Sequence, residues 1–489
     1  MNFFKAALVL IYISICGFGL VKLFLKDKIP FSLFGLVPLS FGAGLGVLAI
    51  LCNLIILLGL RLSFASVYAP LSILFVYALF QMKLPADLRQ KLSPAAMLKA
   101  LGKLTWKEWI FIFVIVFGAF SVFLISVAFP LHFWDSRAIW GAKAKMLFYS
   151  RTVFSSDFMD VDRIHAHFRY PLLFPLSQAF LYLALGQADD WAVMLLIGLF
   201  FPFMISFLYD LARSYLQDRE KALAAAALVS VLPVYFISDG PANSGYADTP
   251  LAMLYCLSFG MTLLWKKLKD TRLLLLSAFL SGILFLTKNE GINLIALNLF
   301  LVILPDNLSF NKEKVFDLLK KLAFYLAIIA LIAAPWLILV NKIPNEVDVN
   351  DILQVNIKNL DFSKLPMATS FSLRAFLGIQ KNMMDNGYFL WGGLWLVFAL
   401  TAFAAASFRS LGGIQLSLVV LAFFIGNTLL YALIPGASEE FMVSNFFRIY
   451  LAISPVVALQ VASTLKFIEN IYKPPTTPLK VKEKKRRKD

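Results

Sequence analysis

Cysteine and histidine are scarce, three of each in 489 residues, and charged side chains make up only 15% of the chain. Cys16, Cys52 and Cys256 lie far apart within apolar segments. That spacing excludes a disulfide framework and a cysteine metal motif, and leaves the thiols as small apolar packing groups. The low charge excludes a soluble globular surface, since soluble domains average about a quarter charged residues. No internal repeat is visible, and no low-complexity stretch precedes the C-terminal tail. A cleaved signal peptide is not expected, because Lys22, Lys26 and Lys28 follow the first apolar run in place of small residues. The formal net charge is +16, but no folded basic domain accompanies it, so nucleic acid is not an expected partner.

What is abundant is apolar: 60% of residues are hydrophobic and the mean hydropathy is +0.79. Runs of roughly 18 or more apolar residues recur, each long enough for a hydrocarbon core of about 30 Å. They predict an all-α polytopic membrane protein with about thirteen spans, at 5–24, 31–59, 63–81, 109–130, 190–211, 222–239, 249–266, 272–287, 291–305, 322–340, 387–407, 412–434 and 446–466. Segment 31–59 is long for one helix and short for two, which leaves open the number of crossings before residue 82. Lys and Arg gather in 82–107, 212–221, 267–272, 306–321 and the tail, where residues 473–489 hold eight bases and two acids. The positive-inside rule places these on the cytoplasmic side and sends 131–189, 240–248, 341–386 and 435–445 to the outer face. The alternation holds from residue 82 onward. The tail also suits anionic lipid headgroups. Apolar stretch 170–186 is short, and a crossing there would turn every later basic loop outward, so it reads as a helix lying at the interface or dipping partway in.

The unusual polar chemistry collects on the outer face. Residues 132–145, HFWDSRAIWGAKAK, place Asp135, Arg137, Lys143 and Lys145 just past a span. His165, His167, Arg169 and Tyr170 precede the short apolar stretch; Asp239, Tyr246 and Asp248 occupy a short turn; Glu439, Glu440 and Arg448 flank the last span. Lys288, Asn289 and Glu290 join two short spans, and a helix of about fifteen residues reaches only about 23 Å. These three therefore lie below the outer surface in a wet, protein-lined cavity, where lipid-facing charge would be costly. A plain Lys288–Glu290 pair closing the helical hairpin is the simpler alternative. Asp135 suits the N-cap of a helix over 136–146, with Trp134 and Trp140 as interfacial anchors. All three histidines share loop 131–189, and Asp160, Asp162, His165 and His167 make a weak set for a divalent cation. The spacing matches no metal signature, so neither a metal nor any other cofactor is assigned. Arg137, Lys143, Lys145, Arg169, Lys288 and Arg448 suit phosphate through charge and donor geometry, with ordinary headgroup attraction as the alternative.

Four motifs in chain order resemble the GT-C membrane glycosyltransferases, nearest the protein O-mannosyltransferase and lipid A aminoarabinose-transferase group. They are FWDSRAIWGAKAKMLF (133–148), RYPLLFPL (169–176), GYADTPLA (245–252) and TKNEG (287–291), with Arg448 ahead of IYLAISP. The likeness covers residues 105–305 and continues over 306–466 only as a helix pattern. Ser136 follows Asp135 where many members carry a second acid, and the spans of 1–81 precede the family's usual first helix. The chain then divides into an added transmembrane unit (1–81), a cytoplasmic loop (82–108), a GT-C-like catalytic module (109–305), further helices (306–466) and a basic cytoplasmic tail (467–489).

The resemblance implies an inverting glycosyltransferase in a bacterial inner membrane, its active site facing the periplasm. The donor it implies is a sugar on a polyprenyl phosphate, and the acceptor an envelope lipid, glycan or protein. Asp135 would be the general base for an acceptor hydroxyl. Arg137, Lys143, Arg169, Lys288 and Arg448 would hold the donor phosphate. Tyr170, Tyr246, Asp248 and Glu290 would contact sugar or acceptor. An O-antigen ligase or polymerase, with key residues in a late outer loop such as 341–386, is a competing class. A lipid or solute transporter is another, but it calls for midplane polar residues and an internal repeat, and neither is seen.

Overall fold

The structure is a computed structural model of the chain, and it describes all residues except 1, 27, 82–101, 161, 163–165, 239, 306–311, 345–361, 378–390, 435–441, 443–447 and 473–489. It is an all-α polytopic membrane protein with no strand among the described residues. In chain order the helices are α1 (Asn2–Leu25), α2 (Leu33–Leu57), α3 (Phe64–Gln81), α4 (Trp106–Ala128), α5 (Ala142–Ser150), α6 (Leu173–Leu185), α7 (Asp190–Leu216) and α8 (Arg219–Ser230). They continue with α9 (Asp248–Leu268), α10 (Thr271–Thr287), α11 (Gly291–Ile303), α12 (Lys312–Val340), α13 (Leu365–Leu377), α14 (Leu394–Ser407), α15 (Leu411–Leu433) and α16 (Ser454–Tyr472). Ten helical stretches among the described residues are long and apolar enough to cross a membrane, α8 being counted through the short helix Val234–Ile237 that continues it; α10, α11 and α14 are apolar but shorter. Together these thirteen correspond one to one with the apolar runs read from the sequence.

Segment 31–59 forms one helix, α2, and hydrogen bonds settle which end each turn occupies. Asn2 Nδ2 donates to Asp189 Oδ2 at 2.6 Å and Leu62 N to Arg151 O at 2.7 Å, so residues 2 and 62 lie at the end where the 131–189 segment sits. Arg272 reaches Leu25 O and Ser32 N donates to Asp210 Oδ2, so the α1–α2 connection lies at the other end. At that same end Thr105 and Glu108 form a capping box that starts α4. Arg219 grips the Glu108 carboxylate through two nitrogens, at 2.5 and 2.8 Å. Helix direction thus alternates without a break through α1–α4 and onward, and the basic stretches 212–221 and 267–272 share one end.

Burial sorts the helices. The outward side of α4 is bare apolar surface, with Phe113 70% and Phe117 61% exposed. The least apolar span, α9, is the most enclosed; its Ser258 and Thr262 hydroxyls have partners inside the bundle, which removes the penalty that lipid would impose. Thr262 and Ser277 share a 2.6 Å hydrogen bond, Tyr325 bonds Ser277 and Ser281, and Asn298 Nδ2 donates to Ser258 and Ser281. This network ties α9, α10, α11 and α12 together. The helix at 170–186, expected to lie at the interface or dip partway in, is covered by protein. Leu173 through Leu183 are all buried, under α1, α2 and α5. A helix apolar on every side is best enclosed by protein, which is the physical reason.

The α1–α2 crossing depends on an absent side chain. A Cβ on Gly44 would stand 2.2 Å from Ile13 O, the close approach that small residues permit between membrane helices. Gly44→Val should therefore lower stability by about 1–3 kcal/mol through overpacking, read as a lower unfolding midpoint in detergent. An unchanged midpoint would show that α1 can slide away without loss.

Candidate functional site

Four chain segments far apart in sequence bring their charged residues together at one end of the bundle. The first is the stretch after α4. It is helical from Trp134, passes through a π-helical turn over Ser136–Gly141, and continues as α5. Such turns re-aim side chains and recur at functional sites. Asp135 has helical backbone angles and makes no side-chain capping bond, so the N-cap reading is corrected. Its Oδ2 instead accepts from Arg448 Nη2 at 2.6 Å, across 313 positions of sequence.

The second segment is the turn into α9. Gly245 has φ +79°, a conformation L side chains rarely adopt, and its α-carbon packs close to Ser136 and Leu131. This contact holds the turn against the π-helical segment. Asp248 then opens α9, where an acid is favoured by the helix dipole. The third segment is the α10–α11 hairpin. Lys288 leaves the helix in an extended conformation, φ −160° and ψ 152°, and its Nζ reaches Asp248 Oδ1 at 2.8 Å and Glu290 Oε1 at 3.0 Å. Lys288 thus pairs with Glu290 across the hairpin and also enters the cluster. The fourth is the segment before the 3-10 turn Tyr450–Ile453, which Tyr235 fixes by donating to Leu451 O at 3.1 Å and pairing with Ser454. Arg448 Nε and Nη2 both lie 3.2 Å from Asp248 Oδ2, and the guanidinium stands 4.7 Å over the Tyr246 ring.

The outcome is a chain of charges, Asp135–Arg448–Asp248–Lys288–Glu290, with three acids and two bases. The Asp248 and Lys288 side chains are only 2% and 6% exposed. Burial by itself would lower the Lys288 ammonium, but Asp248 and Glu290 outweigh it and hold it above its ordinary value. The same contest, against Asp248 and Asp135, holds the Arg448 guanidinium above its ordinary value. Tyr170 adjoins the cluster; burial, reinforced by Glu290, pushes its phenol up to about 12, so it remains a neutral donor. One oxygen is left over: Glu290 Oε2 is buried with no hydrogen-bond partner among the described residues.

The other expected site residues are placed differently. Lys143 is fully buried; its Nζ donates to His167 O at 2.9 Å and lies over the rings of Trp140 and Tyr170 at 4.7 and 5.4 Å. His167 stacks on Tyr170 with ring centroids 5.0 Å apart. Arg169 donates to Ile343 O beyond α12. Lys145 pairs with Asp190 at 2.7 Å, and Arg137 is exposed with no ion pair among the described residues. His165, Asp239, Glu439 and Glu440 lie outside the described residues. Among the described residues no group of three or more His, Cys, Asp or Glu side chains is arranged to hold a metal. Trp140 was missed as a site residue. Read as an anchor, it is 1% exposed and forms the platform for Lys143, whereas Trp134, 67% exposed, keeps the anchor position. Its spacing from Lys143, three residues along a helix, was the available signal.

A buried cluster of carboxylates and cations at the ends of apolar helices is a candidate functional site in a membrane protein, and the sequence comparison supports a glycosyltransferase of the GT-C type. More particularly, residues 169–339 match the family described as dolichyl-phosphate-mannose-protein mannosyltransferase. The match spans Arg169, Tyr170, Tyr246, Asp248, Lys288 and Glu290 and stops short of Asp135 and Arg448. It begins later than the 105–305 resemblance seen in the sequence and runs further. No curated protein and no solved structure matches the chain significantly.

Proposed function

We propose that the protein transfers a sugar from a polyprenyl-phosphate donor to an envelope acceptor on the non-cytoplasmic face of a bacterial inner membrane, with inversion at the anomeric carbon. The observation that carries this reading is Arg448, held between Asp135 and the buried Asp248–Lys288 pair. Donor phosphate competes for the Arg448 guanidinium and the Lys288 ammonium, with Lys143 over the neighbouring Tyr170 ring. As Arg448 turns to the phosphate it releases Asp135, which then accepts the proton of the attacking acceptor hydroxyl. Charge developing on the departing phosphate is stabilised by cations already in place. Glu290, through its unpartnered oxygen, Tyr170 and Tyr246 bind sugar or acceptor hydroxyls, while Arg137 and Arg169 stand at the rim. The clustering of basic stretches at the opposite end of the bundle favours the outward-facing site.

Purified protein incubated with a polyprenyl-phosphate sugar labelled in the sugar, together with an envelope lipid and glycan extract, should move label into the acceptor fraction and release unlabelled polyprenyl phosphate. Label that remains wholly on the donor, while the donor binds, would argue for a transporter instead.

A further inference from the structure

At the end of the bundle opposite the charge cluster, α7, α9, α15 and α16 line an open cleft of about 590 Å³. Four lysines line it, Lys266, Lys267, Lys269 and Lys466, and its described lining residues include no carboxylate. Lys267 Nζ donates to Ser214 O at 3.0 Å and Tyr215 O at 2.8 Å, and Lys466 Nζ donates to Leu216 O. Two ammonium groups from different helices thus converge on the last turn of α7, where carbonyl dipoles favour cations. Those carbonyls occupy donors without neutralising charge, and an ammonium has three donors. Two positive charges share one open cleft whose described lining holds no carboxylate to offset them, which suits an anion.

The remaining walls say which anion. Gln415 and Ser463 add polar groups to the lining and Leu263 and Phe467 apolar ones, so a polar head and an apolar chain both find complementary surface. Gly412 keeps the space open: a Cβ there would stand 2.8 Å from Tyr215 Oη and 3.5 Å from Ser463 Oγ. A free phosphate has no use for the apolar wall. Basic clefts between membrane helices at the cytoplasmic surface are suited to anionic headgroups, and the basic stretches of this chain lie at this end.

We propose that this cleft binds the phosphate headgroup of an anionic membrane phospholipid through Lys267 and Lys466, with the acyl chains leaving along Leu263 and Phe467. The site is independent of the transfer reaction at the other end. It would brace α7 against α9 and α16 at an edge where two lysines otherwise repel.

Native mass spectrometry of the detergent-purified protein, titrated with phosphatidylglycerol, phosphatidylcholine or inorganic phosphate, tests the proposal. Phosphatidylglycerol should be retained well above phosphatidylcholine, and Lys267→Gln and Lys466→Gln should each weaken its retention roughly five-fold. Glutamine keeps an amide donor for the α7 carbonyls, which protects the fold. Gly412→Leu leaves every lysine in place and should remove retention by filling the space. Equal retention of the two lipids, displacement of phosphatidylglycerol by millimolar inorganic phosphate, or wild-type retention in Gly412→Leu would each overturn the assignment. Should a variant fail to fold, the wild-type comparison of the two lipids decides alone.

Discussion

Asp248→Asn should be the most destabilising single substitution in the charge cluster, costing about 3–5 kcal/mol, because removing one partner of a buried ion pair strands the others. Asp248 carries both Lys288 and Arg448 on its two oxygens, and the first of these partners is almost wholly enclosed. Asparagine keeps the shape and can accept one of the hydrogen bonds, but it removes the charge that holds two cations side by side. Lys288 would then face Arg448 with only Glu290 and Asp135 to offset the repulsion. The prediction is checked by unfolding midpoints in one detergent for Asp248→Asn, Lys288→Met and the double variant. The double variant should recover part of the loss, since a cation that is no longer buried needs no partner, and the cycle measures the coupling directly. A single variant as stable as the wild type would mean that water reaches the pair.

Asp135→Asn should behave in the opposite way, leaving the fold intact and removing the reaction. Its side chain is 16% exposed and its one strong contact is Arg448, itself 19% exposed. This pair is less enclosed than Asp248–Lys288, and asparagine still offers Arg448 an oxygen, so the loss should be smaller than that of Asp248→Asn. Loss of a positioned base, by contrast, lowers the rate by roughly 10²- to 10⁴-fold. Initial rates at saturating donor, alongside donor binding measured separately, distinguish the roles. Asp135→Asn should lose turnover while binding donor as well as or better than the wild type, because Arg448 is released to the phosphate. Lys288→Gln should weaken donor binding itself. Full turnover in Asp135→Asn would remove Asp135 as the base and leave it as a mere anchor for Arg448.

The contrast between these two acids could not be read from the chain. Both stand next to apolar runs and beside aromatic residues, and Asp135 looked like a helix cap. Only the path of Arg448, 313 and 200 residues away, makes one carboxylate the buried hub and the other the accessible partner. The lysines divide for the same reason. Lys143 and Lys145 are two positions apart on one helix, yet one is buried over Trp140 and the other pairs with Asp190. Side chains two apart on a helix face different ways, and which way is inward depends on neighbours the local pattern does not name.

The sequence by itself determined the class of fold and the helices. Apolar length against membrane thickness, and charge against apolar surface, are local quantities that each segment carries on its own. It also nominated the polar residues, because a charge at membrane depth is costly wherever it occurs. Tertiary structure decided that α2 is a single helix, that the 170–186 helix is enclosed by protein, and that Arg448 joins Asp135 to Asp248. Ion pairing falls off with distance in space, not along the chain. Which charges compensate one another is therefore fixed only when packing has set the ends of α9, α10 and α16 around one point.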